Sequence, residues 1–429
     1  MIEEKVILQV LTEQKEEIET YNPQKWVSRK EELQFEYGST LAQVVIGVRR
    51  SGKSTLCHKA LLDHDIRYGY VNLDDDRLTK VETEDLNTFL SCIYQLYGTG
   101  ISYLFLDEIQ NADGWHLFVN RLLRMGMHVF VTGSNAKLLS SELATHLTGR
   151  YNEIRLYPFS FSEYCTFHGI DKTSITTKAD ADRKRAFMEY VNTGGFPEMQ
   201  GLRNKRGYVQ SLIEAIILKD IQSRFKIRNI EALRKIAHHI INNVCQEINY
   251  EDMTTLFGLG DKTIKKYIDF LQQAFLVQLL NRHSFKSKER IRNQKSYIVD
   301  TGLLSNRSNA MVAENIGWRL ENIVYIELLR RAARDFLDVY YFKPASRAKE
   351  VDFVLYDKGT AVELIQVAYA IDTPKAYNRE LSSLVTASNH LRCDNLTLIS
   401  FAATKDVIQD GKTIHIYSAI EWLLKENES

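Results

Sequence analysis

The sequence predicts an α/β protein whose first 160 residues form a parallel sheet with helices on both faces. Three observations lead to this prediction. Apolar and helical segments alternate between residues 41 and 160, which is typical of a parallel sheet. A glycine-rich segment, 47–54, joins the first apolar segment to a helical pattern. A later apolar segment, 103–106, ends in two acidic residues, at the position where open α/β sheets bind ligands. The predicted strands are residues 43–46, 67–73, 102–107, 128–132 and 152–157.

The glycine-rich segment reads G-V-R-R-S-G-K-S and fits the pattern G-x-x-x-x-G-K-[ST]. In this pattern the glycines let consecutive backbone N–H groups face phosphate oxygens, the lysine adds positive charge, and the hydroxyl group ligates Mg²⁺. The helix that follows directs the positive end of its dipole at the phosphates. We therefore predict ATP and Mg²⁺ as ligands. The predicted nucleotide-binding residues are Gly47, Val48, Arg49, Arg50, Ser51, Gly52, Lys53, Ser54, Thr55 and Ser134.

The two acids that follow the apolar segment 103–106 are Asp107 and Glu108. We expect Asp107 to hold Mg²⁺ together with Ser54, and Glu108 to orient and polarise the attacking water. A whole strand and helix are predicted between the phosphate loop and this acidic strand. That insertion is expected in the division of NTPases whose water is activated by a glutamate, so the sequence predicts hydrolysis as well as binding.

Two later groups could sense the nucleotide. Ser134 or Asn135, after the strand 128–132, would touch the γ-phosphate or the attacking water, although Asn135 could equally cap a helix. Arg150 could reach the triphosphate of a neighbouring subunit and stabilise charge in the transition state, or it could be a surface arginine. The first interpretation of Arg150 predicts a homo-oligomer, such as a hexamer.

Changes in pattern along the chain predict four regions. Residues 1–160 form the ATPase domain with an N-terminal helical lead-in, and residues 161–227 form a helical lid. Residues 228–311 form a winged-helix domain, because a short helix and a glycine turn precede a second helix as in a helix-turn-helix. Residues 312–429 return to a mixed α/β pattern, with strands predicted at residues 338–343, 351–356, 361–367 and 396–401.

Basic residues on the second helix and in the loop of the wing could contact DNA phosphates. The alternative is a winged fold that serves only for packing. The candidate DNA contacts are Lys262, Lys265, Lys266, Lys286, Lys288, Arg290, Arg292 and Lys295.

The composition limits the classes of partner. The 55 Lys and Arg residues equal the 55 Asp and Glu residues, so any DNA-binding site must be a local patch. Five cysteines without a C-x-x-C pair indicate reduced thiols rather than disulfides or a zinc site. The chain shows no signal peptide and no apolar run approaching 18 residues, so we expect a cytoplasmic protein without a membrane partner.

Taken together, the motifs resemble the bacterial and archaeal AAA+-type ATPases that join an AAA_14 domain to a C-terminal DUF4143 part. The resemblance covers essentially the whole chain. It implies an AAA+ fold, a winged-helix segment and a C-terminal fold similar to PD-(D/E)xK nucleases. The motifs that carry it are residues 47–54, 105–110, 132–135, 147–150, 156–161, 194–198 and 300–303.

Nucleases of that kind bind Mg²⁺ through an acid on one strand, an E-x-K segment on the next strand and a helical glutamate. Asp352 stands at the position of the first acid, and Glu321 could be the helical acid. Whether Gln366 or Glu363 occupies the glutamate position, the residue two places later is not a lysine. We therefore expect a degenerate, non-cleaving domain that could still bind DNA or mediate assembly.

The leading functional hypothesis is Mg²⁺-dependent ATP hydrolysis coupled to binding or remodelling of DNA, including branched or junction DNA. One alternative is a nucleotide-dependent switch that binds a protein or promoter DNA without motor activity. A third is an active nuclease with an unusual Mg²⁺ site at Asp352 and Glu321.

Overall fold

The computed structural model describes residues 1–425 apart from 79, 135–146, 148, 226, 285–292, 306–315, 345–349, 370 and 372. The chain divides into two compact units. Unit 1 comprises Met1–Leu156 with Gln273–Phe275, and unit 2 comprises Tyr157–Gln272 with Leu276–Ser429. The finer boundaries at residues 161, 228 and 312 stay predictions.

Unit 1 is built on the predicted parallel sheet, with the strand order β2-β3-β4-β1-β5. Every neighbouring pair of these strands is parallel, and the apolar runs of the sequence are its buried strands. The strands are β1 Ala42–Ile46, β2 Tyr68–Asn72, β3 Tyr103–Asp107, β4 His128–Gly133 and β5 Tyr151–Arg155. The helices are α1 Glu4–Glu19, α2 Lys53–Asp63, α3 Asp85–Tyr97 and α4 Trp115–Arg124.

The strand order places β4 between the strand of the glycine-rich loop, β1, and the acidic strand, β3. In a parallel sheet all carboxyl ends meet at one edge, so the segments after β1, β3 and β4 come together there. β2 is an edge strand of this sheet, and Gln14 of α1 lies against its free edge. Its amide donates to the carbonyl of Asn72 (3.1 Å) and accepts from the N–H of Asn72 (2.9 Å), which satisfies part of an open strand edge.

Unit 2 begins with helices and a small antiparallel sheet of order β6-β8-β7. The predicted short helix, glycine turn and second helix are present as α9 and α10, with Gly258 in the left-handed region directly after α9. The helices are α5 Phe161–Phe167, α6 Thr177–Thr193, α7 Lys205–Ala215, α8 Ile230–Asn242, α9 Tyr250–Phe257, α10 Asp261–Gln273 and α11 Gly302–Ser305. A π-helical stretch, Ile216–Gln222, continues α7. The strands are β6 Gln246–Glu247, β7 Val277–Asn281 and β8 Gln294–Ile298.

The last part of unit 2 is a mixed six-stranded sheet of order β13-β14-β12-β11-β10-β9. The sequence predicts four of these strands and misses the hairpin of β13 and β14. Asp410 and Gly411, both at positive φ, form the Asp-Gly turn that is a strong hairpin signal and could have revealed it. The strands are β9 Asp338–Phe342, β10 Val351–Asp357, β11 Thr360–Ala368, β12 Leu396–Ser400, β13 Lys405–Gln409 and β14 Lys412–Ser418. The helices are α12 Ile316–Asp335, α13 Pro374–Leu391 and α14 Ala419–Leu424. Among the described helices of both units, none is long and apolar enough to cross a membrane.

Two motifs that carry the family resemblance meet inside unit 2. The carboxylate of Asp300 accepts from the N–H of Gly195 (2.7 Å) and from the N–H of Gly302 (2.8 Å). A Cβ at Gly194 would overlap this carboxylate, so only glycine fits there. Burial raises the pKa of Asp300 to about 6. The segments 194–198 and 300–303 thus have a packing role in this unit.

Candidate functional site

The glycine-rich loop connects β1 to α2, as the sequence predicts. Gly52 precedes the helix at φ 95°, a conformation that residues with a side chain rarely adopt. A Cβ at Gly47 would overlap the carbonyl oxygen of Leu156. The backbone therefore requires both glycines of the motif.

Lys53 is the first residue of α2 and its side chain is only 4% exposed. Its ammonium donates to the carbonyl of Val48 in the loop (3.3 Å). The same group lies 3.6 Å from Oε1 of Glu108. The structure thus brings Lys53 and Glu108 together across the carboxyl edge of the sheet.

Asp107 ends β3 and is buried. Its carboxylate accepts hydrogen bonds from the hydroxyl groups of Thr132 and Tyr70, the latter at 3.1 Å. Burial and the neighbouring Glu108 raise the pKa of Asp107, while hydrogen bonds from Thr132 and Ser54 act in the opposite direction. Ser54 and Asp107 therefore lie side by side, as the predicted Mg²⁺ ligands should.

Glu108 follows directly in the left-handed region at φ 50°, which is uncommon for a residue other than glycine. Its N–H donates to the hydroxyl oxygen of Thr132 (2.9 Å), and its Oε2 accepts from the side-chain amide of Gln110. Because Thr132 binds both acids, it fixes the turn that directs Glu108 towards Lys53.

Three polar residues of this edge are missing from the predicted site: Tyr70, Gln110 and Thr132. Thr132 and Gln110 lie in the motifs 132–135 and 105–110, but the predicted site includes Ser134 and Asn135 in their place. A hydroxyl group on an otherwise apolar buried strand needs a hydrogen-bond partner, and this requirement was the available signal for Thr132 and Tyr70.

The other predicted nucleotide residues are placed as follows. Ser134 is buried just after β4, whereas Asn135 lies outside the described residues. Arg49 pairs with Asp74 (3.3 Å), and Thr55 is exposed on α2. Their predicted roles stay predictions.

Arg150 is exposed, and its backbone lies at the amino end of β1. Its carbonyl accepts from the N–H of Ala42, the first residue of that strand (3.0 Å). The phosphate loop leaves the opposite end of β1, about 13 Å away for a five-residue strand. Arg150 is therefore poorly placed for the nucleotide site of its own chain, and a role in a neighbouring site stays a prediction.

The candidate DNA contacts fall into three groups. Lys262, Lys265 and Lys266 are exposed on α10, and Lys265 pairs with Asp261 of the same helix (2.8 Å). A second group lies outside the described residues: Lys286, Lys288, Arg290 and Arg292. The third group is Lys295 alone.

The expectation that Lys295 contacts DNA is wrong, because its side chain is buried among carboxylates. Its ammonium lies 3.4 Å from Glu321 and 3.9 Å from Asp352, and it also contacts Glu350. Burial lowers the pKa of Lys295, but Glu321, Asp352 and Glu350 outweigh this effect and raise it well above its usual range.

We call this group the Lys295 cluster (Lys295, Glu321, Glu350 and Asp352). The absence of a lysine two places after Gln366 or Glu363 concerns β11 and still holds, whereas the lysine among these acids comes from β8. Gln366 is uncharged and makes its hydrogen bonds to other groups. Its amide oxygen accepts from the N–H of Asp352 (3.3 Å), and its amide nitrogen donates to Glu380 (2.9 Å). Within the described ranges, no three side chains among His, Cys, Asp and Glu are grouped as a metal site requires.

Comparison with protein families finds two matches. Residues 39–165 match the model of an AAA domain, AAA_14, which agrees with the predicted ATPase fold. Residues 184–312 match a domain of unknown function, DUF8612. The resemblance noted in the sequence instead implies a C-terminal DUF4143 part, which is not among these matches. The DUF4143 and nuclease-like assignments therefore stay predictions.

Two solved structures are similar over part of the chain. A RuvB Holliday junction branch migration motor of Thermotoga maritima is 16% identical over 55% of this chain and 81% of its own, with a TM-score of 0.27. A DNA replication initiation factor is 14% identical over 59% of this chain and 92% of its own, with a TM-score of 0.25. TM-scores this low say nothing about function.

Two proteins are similar over most of their length. An uncharacterized protein of Methanocaldococcus jannaschii is 31% identical over 83% of this chain and 80% of its own. An uncharacterized protein of Haemophilus influenzae is 30% identical over 89% of this chain and 94% of its own. The chain therefore belongs to the protein family that includes these two relatives, and residues 39–165 carry its AAA domain.

Proposed function

We propose that the protein hydrolyses ATP with Mg²⁺ at the carboxyl edge of the unit 1 sheet. The observation that carries this proposal is the meeting of Lys53, Ser54, Asp107 and Glu108 behind a phosphate loop. Lys53 and the loop N–H groups bind the phosphates, and Glu108 takes the proton of the attacking water. Ser54 and Asp107 would hold Mg²⁺, which would neutralise charge on the phosphate oxygens.

The ion pair between Lys53 and Glu108 suits this reaction. A triphosphate carries more negative charge than a carboxylate, so the Lys53 ammonium exchanges Glu108 for phosphate when ATP binds. The Glu108 carboxylate then lies next to the phosphate and no longer has Lys53 as its counter-ion. A carboxylate in that position accepts a proton more readily.

Release of phosphate from ATP is the experiment that tests this proposal. We expect turnover in Mg²⁺ that is abolished by EDTA, with a Lys53→Ala control that neither binds nor hydrolyses ATP. Turnover that Lys53→Ala leaves unchanged would assign the hydrolysis to another site or to a contaminant.

We further propose that hydrolysis is coupled to work on DNA. The exposed lysines Lys262, Lys265 and Lys266 on the second helix of the winged segment support this proposal. Lysines on such a helix neutralise phosphates and release counter-ions, so the affinity for DNA should fall steeply with salt.

Replacing Lys262, Lys265 and Lys266 by glutamine is expected to weaken binding of duplex and branched DNA. The slope of log affinity against log salt should fall by up to about 3, which is one for each lost phosphate contact. Fluorescence anisotropy across a salt series measures this slope. Lys184→Gln, at a 67% exposed lysine of α6, is the matched control. Binding that is indifferent to salt, or unchanged in the triple variant, argues against this helix as the DNA contact.

We propose that Arg150 acts at a neighbouring subunit of a homo-oligomer, since its own nucleotide loop lies at the other end of β1. Lys53→Ala and Arg150→Ala subunits should each be inactive alone. Mixing them should restore part of the turnover, because some interfaces then combine an intact phosphate loop with an intact arginine. If every mixing ratio stays inactive while the subunits still assemble, the proposed role across the interface is wrong.

A nucleotide-dependent switch is the second candidate function. Slow turnover that no DNA stimulates would favour it over a motor. The nuclease alternative gains no support from the geometry, because within the described residues no three His, Cys, Asp or Glu side chains are grouped as a metal site requires.

A further inference from the structure

Gln110 lies beside Glu108 in a fixed turn. The turn Ile109–Asn111 follows Glu108 directly. Ile109 is buried, and the side chain of Asn111 donates to the carbonyl of Leu73 (3.1 Å). The turn is therefore anchored on both sides of Gln110, which limits the positions that its amide can take.

Among the described residues, the amide of Gln110 makes one hydrogen bond, and this bond determines its orientation. Its Nε2 donates to Oε2 of Glu108, while Oε1 of Glu108 faces Lys53 at 3.6 Å. An ionised carboxylate only accepts hydrogen bonds, so the amide must present its N–H side to Glu108. The amide oxygen consequently points away from the carboxylate.

That amide oxygen is buried and has no hydrogen-bond partner among the described residues. An unpaired buried acceptor is unfavourable, and such groups in native proteins call for an explanation such as a catalytic role. The amide of Gln110 therefore keeps its Nε2 on Glu108 while its oxygen is left unpaired, an unfavourable arrangement that a role in orienting the proposed general base would explain.

We propose that Gln110 is a positioning residue for hydrolysis: its Nε2 holds the Glu108 carboxylate in the orientation in which it takes the proton of the attacking water. This inference rests on the proposed ATP hydrolysis. In that step the water oxygen bonds to the γ-phosphorus, the bond from the γ-phosphorus to the ADP oxygen breaks, and a water proton passes to Glu108. Gln110 neither gains nor loses a proton.

The test compares Gln110→Leu, Gln110→Glu and Gln9→Leu with the wild-type protein. Leucine keeps most of the volume of Gln110 without its hydrogen bond to Glu108. Gln9 is the matched control, because its side-chain amide donates to the carboxylate of Glu13 (2.9 Å) at the exposed surface of α1. We expect Gln110→Leu to lower kcat about ten- to thirtyfold, the loss of one hydrogen bond to a charged group in the transition state, with an unchanged Kd for ATP. Gln9→Leu should keep kcat within about threefold of wild type.

The contrast between kcat and Kd distinguishes positioning from a merely structural role. Gln110→Glu keeps the shape of the side chain but replaces the donor by a carboxylate, which only accepts hydrogen bonds and repels Glu108, so kcat should fall at least as far as in Gln110→Leu while the Kd for ATP and the unfolding midpoint stay close to wild type. A wild-type kcat in Gln110→Leu, an equal loss in Gln9→Leu, or a kcat close to wild type in Gln110→Glu overturns the inference. A wild-type protein without turnover, or one that Glu108→Gln does not slow, overturns the proposed ATP hydrolysis instead.

Discussion

Replacing Glu108 by glutamine is expected to lower kcat for ATP by about 10²- to 10⁴-fold, the usual contribution of a general base. Glutamine has nearly the shape of glutamate but cannot take the proton of water at neutral pH. Affinity for ATP should persist or rise, because the variant loses the carboxylate that lies 3.6 Å from the Lys53 ammonium and competes with phosphate for it. Steady-state phosphate release gives kcat, and equilibrium binding gives the Kd for ATP.

Glu84→Gln is the matched control for this change. Glu84 is exposed and precedes α3 without a side-chain capping hydrogen bond, so its replacement should alter neither kcat nor Kd. If Glu108→Gln turns over ATP at the rate of wild type, Glu108 has no part in the chemistry, and another group must activate water.

Replacing Lys295 by methionine is expected to destabilise unit 2 by about 3–5 kcal/mol, the typical cost of leaving buried charges without their partner. Methionine fills the space of the lysine stem but leaves Glu321, Glu350 and Asp352 without the ammonium. The midpoint of urea unfolding, followed by a probe in unit 2, measures the change. Lys184→Met is the control, because Lys184 is 67% exposed and pairs only along its own helix, with Asp180 of α6 (2.8 Å) among the described residues.

The loss of stability in Lys295→Met should depend on pH. Burial, followed by the charge of Glu321, raises the pKa of Asp352 well above its usual range, and Lys295 opposes that rise. Without Lys295 the folded-state pKa rises further above the unfolded value, so the folded state binds more protons than the unfolded state. Stability then falls as pH rises, and the destabilisation should be smaller at acidic pH than at about pH 8.

A second substitution sharpens this prediction. Adding Asp352→Asn to Lys295→Met removes one of the unpaired charges and should restore part of the lost stability. Lys295→Met could instead lose less than about 1 kcal/mol of unfolding free energy, the value typical of an exposed ion pair. That result would contradict the burial of Lys295 among these carboxylates.

The sequence is most informative where structure depends on near neighbours. The apolar runs of β1, β3 and β4, the glycines of the phosphate loop and the two acids after β3 are each visible in a few consecutive residues. Local periodicity and the strand–loop–helix pattern therefore predict the sheet and the place where its acids and lysine meet.

Contacts between distant segments are not visible in that way. Lys295 stands in a basic stretch that is typical of a DNA-binding loop, and only the fold shows that β8 directs it into a cluster with Glu321 and Asp352. Likewise, the position of Arg150 relative to the phosphate loop follows from the parallel pairing of β5 with β1, which spacing along the chain does not reveal.

Hydrolysis of ATP at the edge formed by Lys53, Ser54, Asp107 and Glu108 is most directly tested by a single-turnover measurement. ATP is bound to an excess of protein in EDTA, an excess of Mg²⁺ is then added, and phosphate release is followed in time. The wild-type protein should convert nearly all bound ATP to ADP and phosphate, while Glu108→Gln should retain it as ATP over the same period. Bound ATP that the wild-type protein leaves intact after Mg²⁺ is added, or that both proteins convert at the same rate, would contradict the assigned site.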